Sequence, residues 1–152
     1  MNKIPDSRRY THDYEGNAKG YADLDIANTF ALAYREIERI VKDNGLSGQA
    51  IDVGCGGGRS TRFLKSLGLP CIGVDIEPVQ VEQSLKKDPS GDYRIAEKGV
   101  IPIQSCSFDL SLSCIALLEC PSITDLESAV AEIARVTKVG GHVIVVTNSE
   151  DA

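Results

Sequence analysis

The residues best placed to do chemistry lie in the stretch AIDVGCGGGRSTRFL, from Ala50 to Leu64. An acid, Asp52, stands two residues before the first of four glycines, Gly54, Gly56, Gly57 and Gly58. Ala50, Ile51 and Val53 read as a short apolar strand, and Phe63, Leu64 and Leu67 as one face of a helix. Strand, glycine loop and helix together bring bare backbone and a helix N-terminus against a polar ligand. Glycine adopts φ > 0 and has no Cβ to hold a ligand off, and the free N–H groups of the helix favour negative charge. The spacing departs from the dinucleotide fingerprint G-x-G-x-x-G, because Arg59 occupies the place of its third glycine. A tight strand-to-helix turn with no ligand is the other reading of the same glycines.

The order D-x-G-x-G-x-G resembles motif I of the class I S-adenosylmethionine-dependent methyltransferases. A carboxylate so near the loop would repel a pyrophosphate, but it suits a ligand carrying an ammonium and a sulfonium. Further segments resemble the same family in order. PCIGVDIEP (Pro70–Pro78) reads as a second strand, with Asp75 about twenty residues beyond the glycine loop. By the resemblance, Asp75 accepts both ribose hydroxyls and Ile76 offers an apolar face to the adenine. A helix-capping role for Asp75 is the alternative. A brief third strand, Tyr93–Ala96, leads to Glu97-Lys98. In the family an acid here binds the adenine amino group and the next backbone N–H meets a ring nitrogen. Asp-Ala is commoner at that place, and a solvated Glu–Lys pair is the alternative. SFDLSLSCIALLEC (Ser107–Cys120) resembles the strand that runs along the cofactor toward the substrate, so Ser113 to Ala116 should line the methyl-transfer pocket. Asp109 there reads as structural. AEIARVTKVGGHVIVV resembles the family's E-x-x-R-V-L-K-P-G-G segment, with Val139 where proline is usual. The resemblance runs from about residue 48 to 147. It implies cofactor contacts from Asp52, Gly54, Cys55, Gly56, Gly58, Asp75, Ile76, Glu97, Lys98 and Ser113. S-adenosylmethionine is the implied methyl donor and S-adenosylhomocysteine the product.

The elements that must position these residues form an alternating series. A helix over residues 25–44 carries Ile26, Phe30, Tyr34, Ile37 and Val41 on one face and ends at Asn44-Gly45. A short helix spans Val79 to Lys87, and another follows Pro121-Ser122, with Leu126, Val130, Ile133 and Ala134 sharing a face. Lys138 and Gly140-Gly141 should end that helix, and HVIVVTN (His142–Asn148) should be a fifth strand, apolar on both faces as buried parallel strands are. The series predicts an α/β fold, a Rossmann-like doubly wound parallel sheet, with its ligand outside the carboxyl ends of the strands. The resemblance implies five strands in the order 3-2-1-4-5, the family's usual last two being missing. The fifth strand is then an exposed apolar edge that invites a second copy or a partner chain. Residues 1–24 read as an arm ahead of the domain at 25–152. Tyr14 and Tyr21 in it, seven apart, either cover the cofactor as a lid, as in similar enzymes, or anchor the arm to the core.

The totals exclude several other classes. The 152 residues suffice for one domain, and 42% hydrophobic with 25% charged residues is ordinary for a globular protein. No apolar run approaches the ~20 residues that span a membrane, and MNKIPDSRRY lacks the apolar stretch of a signal peptide, so a cytoplasmic location is expected. A net charge of −6 argues against a broad phosphate-binding surface, and so against nucleic acid. The five cysteines, Cys55, Cys71, Cys106, Cys114 and Cys120, form no C-x-x-C pair, and with His12 and His142 give no zinc spacing. Cys71, Cys106 and Cys114 should pack as small hydrophobes. The expected reaction is in-line methyl transfer to a small molecule, since the Asn/Asp-Pro-Pro-Tyr sign of amino-directed nucleic-acid methylation is absent. No residue announces itself as a catalytic base, Glu119 and Cys120 being the only nominees. Two rivals stay open: a non-catalytic S-adenosylmethionine-binding subunit or truncated domain that needs a partner chain, and a nicotinamide oxidoreductase, against which Asp52 and Arg59 both speak.

Overall fold

The computed structural model describes residues 29–148; the arm at 1–24, with Tyr14 and Tyr21, lies outside them. In chain order the elements are α1 (Thr29–Asp43), β1 (Ala50–Val53), α2 (Arg59–Ser66), β2 (Cys71–Asp75), α3 (Pro78–Lys87), β3 (Asp92–Ile95), β4 (Phe108–Cys114), a 3₁₀ turn (Leu117–Glu119), α4 (Ile123–Val136) and β5 (Thr137–Val146). The sheet runs β3-β2-β1-β4-β5 with every neighbouring pair parallel, the order expected. β1 is central: Asp52 pairs with Gly73 of β2 on one side and with Leu112 of β4 on the other.

Alternation along the strands sends apolar side chains to both faces. Ile37 and Val41 of α1 and Leu64 of α2 pack on Ala50, Cys71, Leu110, Leu112 and Ile144. The opposite face gathers Ile51, Val74, Ala96, Ile101, Phe108 and Val136. Each large apolar side chain buried in these clusters contributes about 1.5–3 kcal/mol. α1 ends as its sequence demands. Gly45 takes φ 57, Leu46 N–H donates to the Val41 carbonyl at 2.9 Å, and the Asn44 amide donates to the Ile40 carbonyl at 2.8 Å. α4 begins on a cap, the Ser122 hydroxyl accepting from Asp125 N–H at 3.1 Å, an arrangement that stabilises a helix by about 1 kcal/mol.

Three expectations are corrected. First, Lys138, Gly140 and Gly141 do not separate α4 from β5 but form a bulge inside β5, which starts at Thr137. Phe108 pairs with Thr137 and Leu110 with His142, so a two-residue step on β4 faces five on β5. Gly140 at φ 81 makes the turn, and Asp109 staples it, accepting from Lys138 Nζ at 2.9 Å and from Gln49 N–H at 2.9 Å. Second, the apolar faces of α4 and β5 are only partly covered. Ile133 and Val136 are buried, but Leu126, Val130, Val143 and Val145 stand about 36–48% exposed, and Ala134 is exposed too. Third, Cys106 is exposed, in a left-handed turn at φ 54, rather than packed.

Candidate functional site

β1 ends in a loop that is fastened at both ends and open in the middle. Gly54, at φ 75, and Cys55 both donate their N–H to the Val74 carbonyl, at 2.9 and 3.0 Å. A Cβ on Gly54 would lie 2.2 Å from the Ala116 Cβ. Gly58, at φ 74, begins α2, and a Cβ there would strike the Tyr93 ring at 2.8 Å and the Ser84 hydroxyl at 2.9 Å. Gly56 is different. Its φ of 51 still favours glycine, yet a Cβ would meet nothing nearer than Gln80 Oε1 at 4.0 Å. Bare backbone therefore faces free space at Gly56, which is the cradle a ligand needs.

Asp75 closes one side of the cradle. Its Oδ2 accepts from Gly56 N–H at 2.7 Å and its Oδ1 from Glu77 N–H at 2.9 Å. The second bond is the local helix-entry contact weighed against ligand binding. Each carboxylate oxygen can accept more than one bond, so Asp75 can steady the loop and still receive a ligand. Burial raises its pKa, while those N–H groups lower it. Ile76 beside it is 54% exposed, an apolar surface in the open.

Asp52 lies under the loop and is fully enclosed. Its Oδ2 accepts from the hydroxyls of Ser60 and Thr61, both at 2.6 Å, while Oδ1 has no partner. Burial pushes this carboxyl up to about 6, against the pull of those two hydroxyls. Cys55 turns its thiol into a cluster with Val81 and Tyr93, where burial raises its pKa strongly. Ser113 is also enclosed, its hydroxyl donating to the Val53 carbonyl at 3.1 Å. Glu97 is exposed in a turn bridged to Val100. Lys98 pairs with Asp125 at 2.8 Å rather than with Glu97, and so ties this turn to the start of α4.

Two further residues join the site. Arg59 reaches back over α1, its Nε donating to Tyr34 Oη at 3.1 Å and its guanidinium stacked 4.3 Å from the Phe30 ring centroid. Gln80 of α3 is 3% exposed and leans toward Gly56. A pair of polar residues, Gln80 and Ser84, on the buried side of α3 was the available sequence signal for Gln80. Arg59 was visible only as a missing glycine. Among the described residues the buried side-chain N or O atoms without a hydrogen-bond partner are Asp52 Oδ1, Arg59 Nη1 and Gln80 Oε1. All three surround one loop, and each unmade bond costs about 1–3 kcal/mol. Such a gathering at one loop would be satisfied by a bound polar group, water or ligand.

Beyond β4 the chain turns through Ile115 at φ 62, its N–H donating to the Val146 carbonyl at 2.8 Å. A β-branched residue in this region carries about 1–2 kcal/mol of strain. The turn presses Ala116 against Gly54. Burial raises the Cys120 pKa, with Asp125 adding to the shift, so this thiol is not an activated nucleophile. No group of side chains among the described residues could hold a metal ion.

The profile of the family described as "Methyltransferase domain" matches residues 51–145. The chain belongs to the class I S-adenosylmethionine-dependent methyltransferases. The residues present fit that cofactor: an open Gly56, an Asp75 with acceptor capacity to spare, an exposed Ile76, and unpaired buried groups of both signs. Over 97 residues the methyltransferase chain is 31% identical to malonyl-[acyl-carrier protein] O-methyltransferase of Salmonella typhimurium, covering 64% of this chain and 38% of that one. Tocopherol O-methyltransferase of Arabidopsis thaliana is 35% identical over 108 residues, 65% of this chain and 30% of that one. The mouse 18S rRNA (guanine-N(7))-methyltransferase is 30% identical over 87 residues, 57% and 31% of the two chains. The chain thus spans about a third of the length of the curated relatives it matches. In fold it is similar to the PH0226 protein of Pyrococcus horikoshii, with a TM-score of 0.72 at 18% identity, over 90% of this chain and 63% of that one.

Proposed function

We propose that this chain binds S-adenosylmethionine across the carboxyl ends of β2, β1 and β4 and transfers its methyl group to a small-molecule acceptor. The observation that carries the reading is Asp75, held by Gly56 N–H at 2.7 Å beside a loop with open space over its central glycine. In this reading Asp75 takes the ribose hydroxyls, Ile76 the adenine face, Glu97 the adenine amino group and the Lys98 backbone N–H a ring nitrogen. Gly54, Cys55, Gly56 and Gly58 give the loop its close approach, and Asp52 attracts the ammonium. Ser113 sets the end of β4 toward the acceptor.

Bound S-adenosylmethionine supplies a methyl group on positively charged sulfur, open to in-line displacement by an O, N, S or C nucleophile. The protein's part is to position that sulfur and exclude water. A general base is required only where the acceptor carries a proton, and Cys120, with its raised pKa, is unsuited to the task. A small-molecule acceptor agrees with the names of two relatives, for malonyl-[acyl-carrier protein] and tocopherol, and with the net charge of −6; the rRNA enzyme shows the other direction in which the family goes. A cytoplasmic location belongs to the same reading. Among the described residues no helix is long and apolar enough to cross a membrane.

The bare apolar residues of α4 and β5 favour a second reading, in which the chain holds the cofactor and a second copy or a partner chain completes the acceptor wall. Methyl transfer to any acceptor by the monomeric chain alone would eliminate it. The test of the first reading is calorimetric titration with S-adenosylmethionine and S-adenosylhomocysteine, beside Asp75→Ala. Binding of roughly micromolar strength, weakened tenfold or more in the variant, is the expected result. A folded wild-type protein that binds neither compound overturns it.

A further inference from the structure

We propose that Asn44, at the end of α1, is a self-modification site: the Gly45 backbone nitrogen displaces ammonia from the Asn44 side chain, and the last turn of α1 sets the rate. The site lies just ahead of β1, at the opposite end of that strand from the glycine loop.

The chain has five asparagines, Asn2, Asn17, Asn28, Asn44 and Asn148, and only Asn44 precedes a glycine. With no Cβ, Gly45 leaves its nitrogen open to approach from the neighbouring side chain. Both residues are exposed, and a Cβ on Gly45 would meet nothing within 4 Å. Water therefore reaches the site, and water is the one co-reactant needed. The Gly45 N–H loses its proton as the nitrogen bonds to Asn44 Cγ. The Cγ–Nδ2 bond breaks, ammonia leaves, and a cyclic imide closes. Water then opens the imide. Addition at Cγ gives aspartate, whereas addition at the main-chain carbonyl carbon gives isoaspartate, with the chain rerouted through the side chain.

The fold opposes this reaction with three hydrogen bonds. Leu46 N–H donates to the Val41 carbonyl at 2.9 Å and Gly45 N–H to the Lys42 carbonyl at 3.1 Å, the Schellman closure of a helix. The attacking nitrogen is thus held by its own hydrogen. The leaving group is held too, Asn44 Nδ2 donating to the Ile40 carbonyl at 2.8 Å. Attack requires the last turn to open, a local event that needs less free energy than unfolding. Leu46, packed against the cluster that contains Val41, keeps the turn shut. The product cannot restore it. A carboxylate at residue 44 has no hydrogen for the Ile40 carbonyl and stands at the negative end of the helix dipole. Asn44 also shares a groove of about 280 Å³ with Asp109, Lys138 and Gly140. A new carboxylate there competes for the Lys138 ammonium that Asp109 uses to staple the β5 bulge. One modification therefore loosens the end of α1 and the bulge together.

The test is to age the full chain in warm, mildly alkaline buffer, folded and in urea, and to map aspartate and isoaspartate by mass spectrometry. Conversion is expected at Asn44 and not at the other four asparagines, and about tenfold or more slower in the folded protein than in urea. Leu46→Ala should raise the folded rate by about threefold or more while leaving the urea rate within about twofold. Asn44→Gln should fold as the wild type does and give no product in the same peptide. Asn44→Asp, which carries the product's charge, should lower the urea midpoint. An Asn44 that stays intact in urea, or conversion spread evenly over all the asparagines, overturns the site. A folded rate equal to the urea rate, or one that Leu46→Ala leaves unchanged, overturns the control by α1. An unchanged midpoint in Asn44→Asp overturns the effect assigned to the product.

Discussion

A carboxylate shut away from water stays charged only as far as its neighbours allow. Burial lifts the Asp52 carboxyl to about 6, and the hydroxyls of Ser60 and Thr61 are not enough to bring it back. The charged form, to which the proposed reading assigns the ammonium, is therefore populated above about pH 6 and lost as the pH falls through that value. Affinity for S-adenosylmethionine should rise on going from about pH 5 to about pH 7, by up to about tenfold per unit on the acid side, and then level. Asp52→Asn should flatten the rise. A slope that survives in the variant would place the titrating group elsewhere. Stability responds in the opposite sense. The fold keeps Asp52 protonated at pH values where the unfolded chain has lost that proton, so its contribution declines as pH climbs from the ordinary carboxylate range to about 6. One residue thus makes the folded protein less stable where it binds best.

At the scale of elements, the buried apolar packing of α4 is concentrated near its C-terminal end. Ile133 and Val136 are buried, whereas Leu126 and Val130 are substantially exposed. Ile133→Ala should cost about 3 kcal/mol, while Leu126→Ala and Val130→Ala should stay within about 0.5 kcal/mol; urea midpoints of the three variants will separate these cases. The helical period showed that Leu126, Val130, Ile133 and Ala134 make an apolar face. Period alone cannot say which part of such a face the sheet takes up. β4 was legible to the residue because Phe108, Leu110 and Leu112 alternate with polar neighbours. β5 was not, because Gly140-Gly141 reads as a helix stop although a bulge uses the same glycines. The site divides likewise. Asp75 and the glycine loop declare themselves by spacing. Arg59 and Gln80 matter through atoms that have no partner, and only a packed structure shows what a side chain fails to touch.

For the whole molecule, the open side of β5 is the feature with the widest reach. Its backbone edge is unpaired among the described residues, Val143 and Val145 are about half exposed, and a groove of about 290 Å³ lies between its end and α1. Apolar edges of this kind pair with other chains. Sedimentation at high protein concentration should show dimers, or loss from solution, and added salt should favour association by screening the net charge of −6. A strictly monomeric, soluble species would contradict the proposed pairing. The contact of Gly54 with Ala116 joins the two halves of the sheet at the site, with no room for one more carbon between them. It also limits how the protein can change its chemistry over time. In the proposed reading Ala116 lies beside the acceptor, and enlarging it would press on the loop proposed to hold the methyl donor. New acceptors are more accessible through neighbours clear of that contact, such as Leu118 at 45% exposure. Divergence of substrate would then proceed around this pair of residues, with the donor site left as it is.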